Sequence, residues 1–255
     1  MLHSYDIIRV VSLPERTDRR KAITNEFRKY GFIGKKQNLP TPDNHLAFFD
    51  AFRVPDAGLF RSAGSHGAYL SHLEILREAA NNDQSVLIFQ DDCSFYGDIV
   101  SYELPDDCDV FYGGWMLDDP NEVSDLNNAR IIGAHFMGFS SNAAKLAVSY
   151  LTNLLDPSFP YDPIAASEVN FNPDQRPPID GALVWFRRAH PQLKVVFEKL
   201  GEQRCSATDI GNRSKLDEYA MLSSLVRILR QAKHHIVMRR HRTTGMVGTK
   251  GSELA

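Results

Sequence analysis

The chain has 255 residues, of which 43% are apolar and 24% are charged, and its formal net charge is -3. A chain of this length and apolar content can bury a sizeable core, in one large domain or one domain with an appendage, which excludes disorder of the whole. Its three cysteines show no CxxC spacing, which argues against a disulfide framework or a structural zinc site and favours a reducing cytosol.

The first predicted elements are a strand and a helix. Residues 6–13 are mostly apolar, which is typical of a strand, but the run is too short and too polar for a signal peptide or a membrane span. Pro14 precedes a predicted helix whose inner face carries Ile23, Phe27 and Tyr30 at helical spacing. A polar connection then leads to an aromatic patch at residues 48–52.

A second helix and a second strand lead to a pair of acids. Ser65 is a predicted N-cap for a helix whose apolar stripe runs from Tyr69 to Ala80. Residues 86–89 then form a short apolar run that predicts a buried strand ending at Asp91 and Asp92. Ligands bind at this edge of open α/β sheets, and two adjacent carboxylates repel unless a cation or a hydroxyl network shares them. The two acids therefore predict a site for a divalent metal and a nucleotide, and the alternative is that they form a turn or a helix cap.

The rest of the chain continues the alternation and then changes character. Strands are predicted at 109–112, 135–139 and 193–197, and the first of them is followed by Gly113 and Gly114. Helices are predicted at 141–155, 180–188 and about 215–235. Residues 156–179 hold six of the thirteen prolines and predict a long loop, and 201–212 a polar one. Alternating strands and helices favour an α/β fold with a largely parallel sheet. The fingerprints of dinucleotide-binding enzymes and P-loop NTPases are missing from the sequence.

Six segments in this order resemble glycosyltransferase family 25, the bacterial lipopolysaccharide and lipooligosaccharide sugar transferases and the collagen galactosyltransferases. They are IRVVSLPERTDRRKAI from Ile8, GAYLSHLEIL from Gly67, VLIFQDD from Val86, GAHF with AAKL from Gly133, PID from Pro178 and SATDI from Ser206. None is specific alone, but six in order are hard to obtain by chance.

The resemblance implies a GT-A-type nucleotide-sugar transferase fold, with a mixed, mostly parallel sheet flanked by helices. It places this domain at 1–212, with a donor half at about 1–115 and an acceptor half at about 116–212, followed by a C-terminal helix and basic tail at 213–255. It implies an inverting transfer of a hexose, with galactose expected, from a UDP-sugar to a saccharide or glycolipid acceptor in lipopolysaccharide or lipooligosaccharide biosynthesis.

The sequence departs from the family at two positions, Ala68 in place of a cysteine and Gln90 in place of an acid. The acidic motif of GT-A enzymes holds Mn²⁺ or Mg²⁺ on the donor's diphosphate. Because glutamine offers an oxygen but no charge, we expect weaker metal binding with Asp92 as the main ligand, or rescue by Asp209. Alternatively, Gln90 faces the ribose, or the protein is a weak or inactive relative.

The resemblance also implies a role for each matching residue. Asp180 is the predicted catalytic base, with an N-cap as the alternative. The predicted substrate-binding residues are Ser12, Arg16, Arg19, Ser71, His72, Gln90, Asp91, Gly113 and Gly114. The alternatives are a solvated helix face for the arginines, a structural role for His72 and a turn at the glycines.

The basic tail bears on location. Residues 227–255 carry seven Lys or Arg and one Glu, a net charge of +6, so the remaining residues carry -9. Such a tail is attracted to anionic surfaces, and we expect a cytoplasmic protein that contacts the inner face of a membrane, with no nucleic-acid partner. A solvated tail is the alternative. Two other functions stay open: a catalytically weak carbohydrate-binding relative, and a metal-dependent phosphohydrolase using Asp91 and Asp92.

Overall fold

The computed structural model describes residues 1–118, 124–168 and 171–204. The strands are β1 (Ile7–Ser12), β2 (Leu46–Asp50), β3 (Val86–Gln90), β4 (Cys93–Phe95), β5 (Val110–Leu117), β6 (Ile131–Phe139), β7 (Val195–Phe197) and β8 (Gly201–Gln203). The helices are α1 (Thr17–Lys29), α2 (Ala63–Asn81), α3 (Ser141–Asn153), α4 (Pro163–Ala166) and α5 (Ile179–Ala189). Asp209, the helix predicted near 215–235 and the basic tail lie outside the described residues.

Six strands form one mixed sheet in the order β2-β1-β3-β6-β5-β7. The parallel pairs are β1 with β2, β1 with β3 and β5 with β7, whereas β6 runs antiparallel to both of its neighbours. Strands β4 and β8 pair separately. The prediction of an α/β fold with a mostly parallel mixed sheet flanked by helices is confirmed, and the architecture is compatible with a Rossmann-like fold. Strand β5 crosses residue 115, so the expected donor and acceptor halves share this sheet.

The core occupies both faces of the sheet. Successive side chains of a strand point to opposite faces. Ile7 and Ile88 accordingly join a cluster with α2, α3 and α5, whereas Ile8 and Phe89 join a second cluster with Phe27 of α1. Helix α1 therefore covers one face of the sheet, and helices α2, α3 and α5 cover the opposite face. Within the described ranges, no helix is long and apolar enough to cross a membrane.

Several element boundaries differ from the sequence-based predictions. The aromatic patch is strand β2, β6 begins at Ile131, and the predicted loops contain α4 and β8. The turn given as the alternative role of Gly113 and Gly114 does not form, because β5 continues through both residues to Leu117. A Cβ atom at Gly113 would lie 2.7 Å from the ring of Phe136 on β6. The absence of a side chain at Gly113 thus lets the ring of Phe136 pack against β5, and no local sequence pattern predicts this contact.

Candidate active site

The alternation along β3 sends its last residues to different sides of the sheet. Gln90 has the same parity as Val86 and Ile88, and it lines a cavity on the side of α2 and α5. Asp91 follows the parity of Leu87 and Phe89, whose cluster includes α1. The acidic motif is therefore divided, with the glutamine in the cavity and the first aspartate turned toward α1.

Asp91 is buried against β1 and α1. The hydroxyl of Ser12 donates to Asp91 Oδ2 at 2.7 Å, and Nη1 of Arg19 donates to Asp91 Oδ1 at 3.1 Å. Burial raises the pKa of Asp91, while the bonds from Ser12 and Arg19 oppose that rise. The structure thus brings together the predicted residues Ser12, Arg19 and Asp91 at the carboxyl ends of two parallel strands.

Asp92 is the second buried acid, and it forms a turn with Asp91 between β3 and β4, as the simpler alternative expects. Its Oδ2 accepts from Gln203 Nε2 at 3.1 Å and from Arg19 Nη1 at 3.5 Å. Its Oδ1 is buried and has no hydrogen-bond partner in the described part of the chain. One arginine therefore bridges both acids.

The described residues around this acidic pair do not fit a divalent cation. Three of the four carboxylate oxygens accept hydrogen bonds from Ser12, Arg19 or Gln203, so Oδ1 of Asp92 is the one oxygen of the pair with no described partner, and two aspartates alone are a small ligand set for a divalent cation. The guanidinium of Arg19 also supplies a positive charge between the acids, and a cation brought to them would be repelled by it. No group of three or more His, Cys, Asp or Glu side chains that could hold a metal occurs in the ranges described.

A cavity of about 830 Å³ lies beside this pair. Its walls come from the start of α2, the start of β6, the segment before α5, and the side chains of Gln90 and Gln203. Asp91 and Asp92 are not among the lining residues. Cavities of about 300–1,000 Å³ accommodate small-molecule ligands, so this space is large enough for a substrate.

Asp180 lies in the first turn of α5 and lines this cavity. Its Oδ2 accepts from the backbone N–H of Gly133 at 3.3 Å, and its Oδ1 accepts from that of Gly181 at 3.0 Å. The N-cap of α5 is Pro178, so Asp180 is not the cap that the alternative expects. A carboxylate has about four acceptor positions, so each oxygen retains a lone pair for a ligand hydroxyl.

The charged residues of the cavity wall fall into two groups. Arg130 forms ion pairs with Asp118 and Glu168, and Arg188 forms one with Asp162 at 2.9 Å. By contrast, three lining residues have no oppositely charged partner among the described residues; they are Arg61, Arg176 and Asp180. The cavity therefore holds one carboxylate and two guanidinium groups whose charges are not neutralised by described side chains.

Arg176 is the buried member of this group, with 5% of its surface exposed. Its Nη2 donates to the backbone oxygen of Phe159 at 2.9 Å, and its guanidinium carbon lies 4.8 Å from the ring centroid of Tyr161. Its Nη1 is buried without a hydrogen-bond partner within the described ranges. Its backbone N–H donates to Leu59 at 2.7 Å, which ties it to the segment that carries Arg61.

The other predicted site residues lie outside the cavity. Arg16 forms an ion pair with Asp18 at 3.0 Å beside the start of α1. Ser71 is buried, and its hydroxyl accepts from the backbone of Phe52 and donates to that of Gly67. These hydrogen bonds join the segment after β2 to α2. Ser71 therefore has a structural role and does not face the cavity.

His72 and the two glycines lie behind the cavity wall. The ring nitrogens of His72 are 2.9 Å from the carbonyl oxygen of Ala68 and 3.3 Å from that of Ala134, and both alanines line the cavity. Burial lowers the pKa of His72. A Cβ atom at Gly114 would lie 2.3 Å from Nε2 of His135, so protein atoms occupy the space beside that glycine as they do at Gly113.

Comparisons with known proteins do not assign this chain to a family. No family model matches it, and the search of curated proteins returns no match. The likeness to glycosyltransferase family 25 therefore stays a prediction. Sequence analysis missed Arg61, Arg176 and Gln203 as cavity residues. An arginine directly before the helix cap Ser62 is the one local signal that could have drawn attention to Arg61.

Proposed function

We propose that this protein is an inverting glycosyltransferase that moves a hexose, galactose being the expected one, from a UDP-sugar to a saccharide or glycolipid acceptor. The observation that supports this most directly is Asp180, a carboxylate that lines the large cavity and has no described ion-pair partner. The cavity also lies at the carboxyl end of β3, marked by Gln90, where ligands bind in open α/β sheets.

Inverting sugar transfer requires one general base beside the acceptor hydroxyl. The Asp180 carboxylate accepts the proton of the acceptor hydroxyl as its oxygen attacks the anomeric carbon of the donor. The bond from that carbon to the phosphate oxygen breaks, and the nucleoside diphosphate leaves with the electron pair. Attack opposite the leaving group inverts the anomeric centre. The backbone N–H groups of Gly133 and Gly181 orient the carboxylate for this step.

A GT-A enzyme with a bound Mn²⁺ or Mg²⁺ would use it to offset charge on the leaving diphosphate. The described oxygens around Asp91 and Asp92 do not fit such an ion, and the transfer by Asp180 needs none at the acceptor. The same arrangement weakens the phosphohydrolase alternative, since Arg19 forms ion pairs with both acids and neither acid lines the cavity.

The experiment is a binding and transfer screen on the full chain. Thermal stabilisation by a panel of nucleotide sugars identifies the donor, and radiolabelled donor measures transfer to saccharide acceptors. We expect Asp180→Asn to lower kcat by about 10²–10⁴-fold and to leave the donor Kd within about twofold. Asp118→Asn is the matched control, because Asp118 lines the same cavity but is paired with Arg130.

Two results would overturn the proposal. One is a screen in which no nucleotide sugar stabilises the protein. The other is an Asp180→Asn variant that transfers sugar as fast as the wild type, which would remove the residue on which the mechanism depends.

A further inference from the structure

We infer that Arg61 and Arg176, together with the N-terminal end of α2, bind the diphosphate of the ligand and take the charge-neutralising role that a divalent cation has in GT-A enzymes. The inference rests on the proposed function for the identity of the ligand. The binding site itself depends on the charges, contacts and burial of residues in the cavity wall.

The place where a metal would be expected already holds an arginine. Arg19 Nη1 lies 3.1 Å from Asp91 Oδ1 and 3.5 Å from Asp92 Oδ2, so the guanidinium of Arg19 already forms ion pairs with both acids. Gln90, where the resembling family has an acid, brings no charge to the cavity. The described residues at this edge of the sheet therefore provide a poor site for a metal ion. The carboxylates of Asp91 and Asp92 would also repel a phosphate, so the positive charge that binds it has to come from other residues.

The cavity wall contains positive charge of its own. Arg130 and Arg188 are neutralised by acids, but Arg61 and Arg176 have no carboxylate partner among the residues described. Arg176 is 95% buried, and its Nη1 has no hydrogen-bond partner in the same ranges. A buried charged donor without an acceptor is costly, and a phosphate oxygen is the strongest acceptor that a ligand can bring to a guanidinium.

Helix α2 begins at the cavity wall. Helix α2 has 19 residues and begins at Ala63, and its cap residue Ser62 lines the cavity beside Arg61. A helix of this length carries about half a positive charge at its N-terminus. The bond from the Arg176 N–H to Leu59 holds Arg176 against the segment that leads into α2. Two guanidinium groups and a helix N-terminus thus border one space, which is an arrangement suited to two linked phosphates.

The test measures binding of inorganic pyrophosphate, UDP and uridine to the full chain by calorimetry, in EDTA and in Mn²⁺. We expect pyrophosphate and UDP to bind in EDTA, with Kd values within about twofold of those in Mn²⁺. Arg61→Gln and Arg176→Gln should each weaken UDP binding by about 10–100-fold, because each removes a charge-assisted contact to phosphate. Uridine binding should not change, since uridine has no phosphate.

The matched control is Arg77→Gln, which removes an arginine from α2 that does not line the cavity and pairs with Glu74. Arg176 also holds backbone carbonyls, so Arg176→Gln could unfold. Arg61 is exposed and bonds to no described residue, and Arg61→Gln alone therefore decides the question if the other variant is not folded.

The outcomes separate this inference from the proposed function. Binding of UDP that requires Mn²⁺ and is unchanged in Arg61→Gln would overturn the inference, while transfer by the same protein would leave the proposed function standing. Arginine-dependent binding of pyrophosphate and UDP in EDTA, without transfer from any nucleotide sugar, would support the inference and contradict the proposed function. If neither pyrophosphate nor UDP binds, the inference is wrong.

Discussion

Replacing Arg19 by methionine should destabilise the fold strongly, because Arg19 is the cation that allows two adjacent acids to be buried. Its side chain is 13% exposed, and those of Asp91 and Asp92 are 8% and 10% exposed. Methionine preserves much of the aliphatic stem and removes the charge. The variant therefore isolates the electrostatic part of the interaction.

The structure sets the size of this effect. Removing one partner of a buried ion pair costs about 3–5 kcal/mol, since it leaves a buried charge without compensation. Here two carboxylates lose the same partner, so the upper part of that range is expected at neutral pH. For a chain of this size the loss corresponds to a decrease in Tm of about 6–20 °C.

The loss should depend on pH in a defined direction. Burial already raises the pKa of Asp91 in the folded protein, so the folded state binds more protons than the unfolded state between the two pKa values. Asp91 therefore contributes stability that is full below its unfolded pKa and falls as the pH rises through the folded pKa. Without Arg19 the folded pKa rises further, and the destabilisation should be largest at pH 7–8 and shrink toward about pH 4.

Urea unfolding followed by circular dichroism at several pH values measures this free energy of unfolding. The matched control is Arg77→Met, which breaks a solvent-exposed ion pair with Glu74 on α2 and should cost at most about 1 kcal/mol. A loss in Arg19→Met that is as small as in this control, or that does not change with pH, would show that Arg19 is not the compensating charge.

Three further variants test other contacts by urea unfolding. Gly114→Ala places a Cβ atom 2.3 Å from His135 Nε2 and should cost about 1–3 kcal/mol, whereas Gly97→Ala, with no atom within 4 Å of the new Cβ, should be nearly neutral. Burial lowers the pKa of His72, so this residue makes the free energy of unfolding decrease as the pH falls below its unfolded pKa of about 6.5. His72→Gln should therefore make the free energy of unfolding less dependent on pH in this range. An unchanged pH profile would contradict this. Tyr69→Phe should cost about 1 kcal/mol, because its buried hydroxyl donates to a backbone carbonyl of α3; no loss would count against that bond.

Local sequence patterns were enough to predict several helices and strands. The periodic apolar residues of α2 and α3 and the short run at Val86 predicted two helices and a buried strand, and all three are present. The alternation of strands and helices predicted an α/β sheet, because such units pack only when a sheet is covered by helices. The placement of Asp180 at the start of a helix was also predictable, since a long proline-rich segment precedes it.

Which of the predicted residues lie in contact depends on the packing of distant segments, and no local pattern predicts it. Strand parity, which depends on register, sent Gln90 to the cavity and Asp91 toward α1. The pairing of Arg19 with both acids joins residues more than 70 positions apart, and no local rule predicts such a contact. Arg61 and Arg176 share a cavity because separate segments pack together. Local sequence sets helix and strand preference, but contacts between distant segments depend on how the whole chain packs.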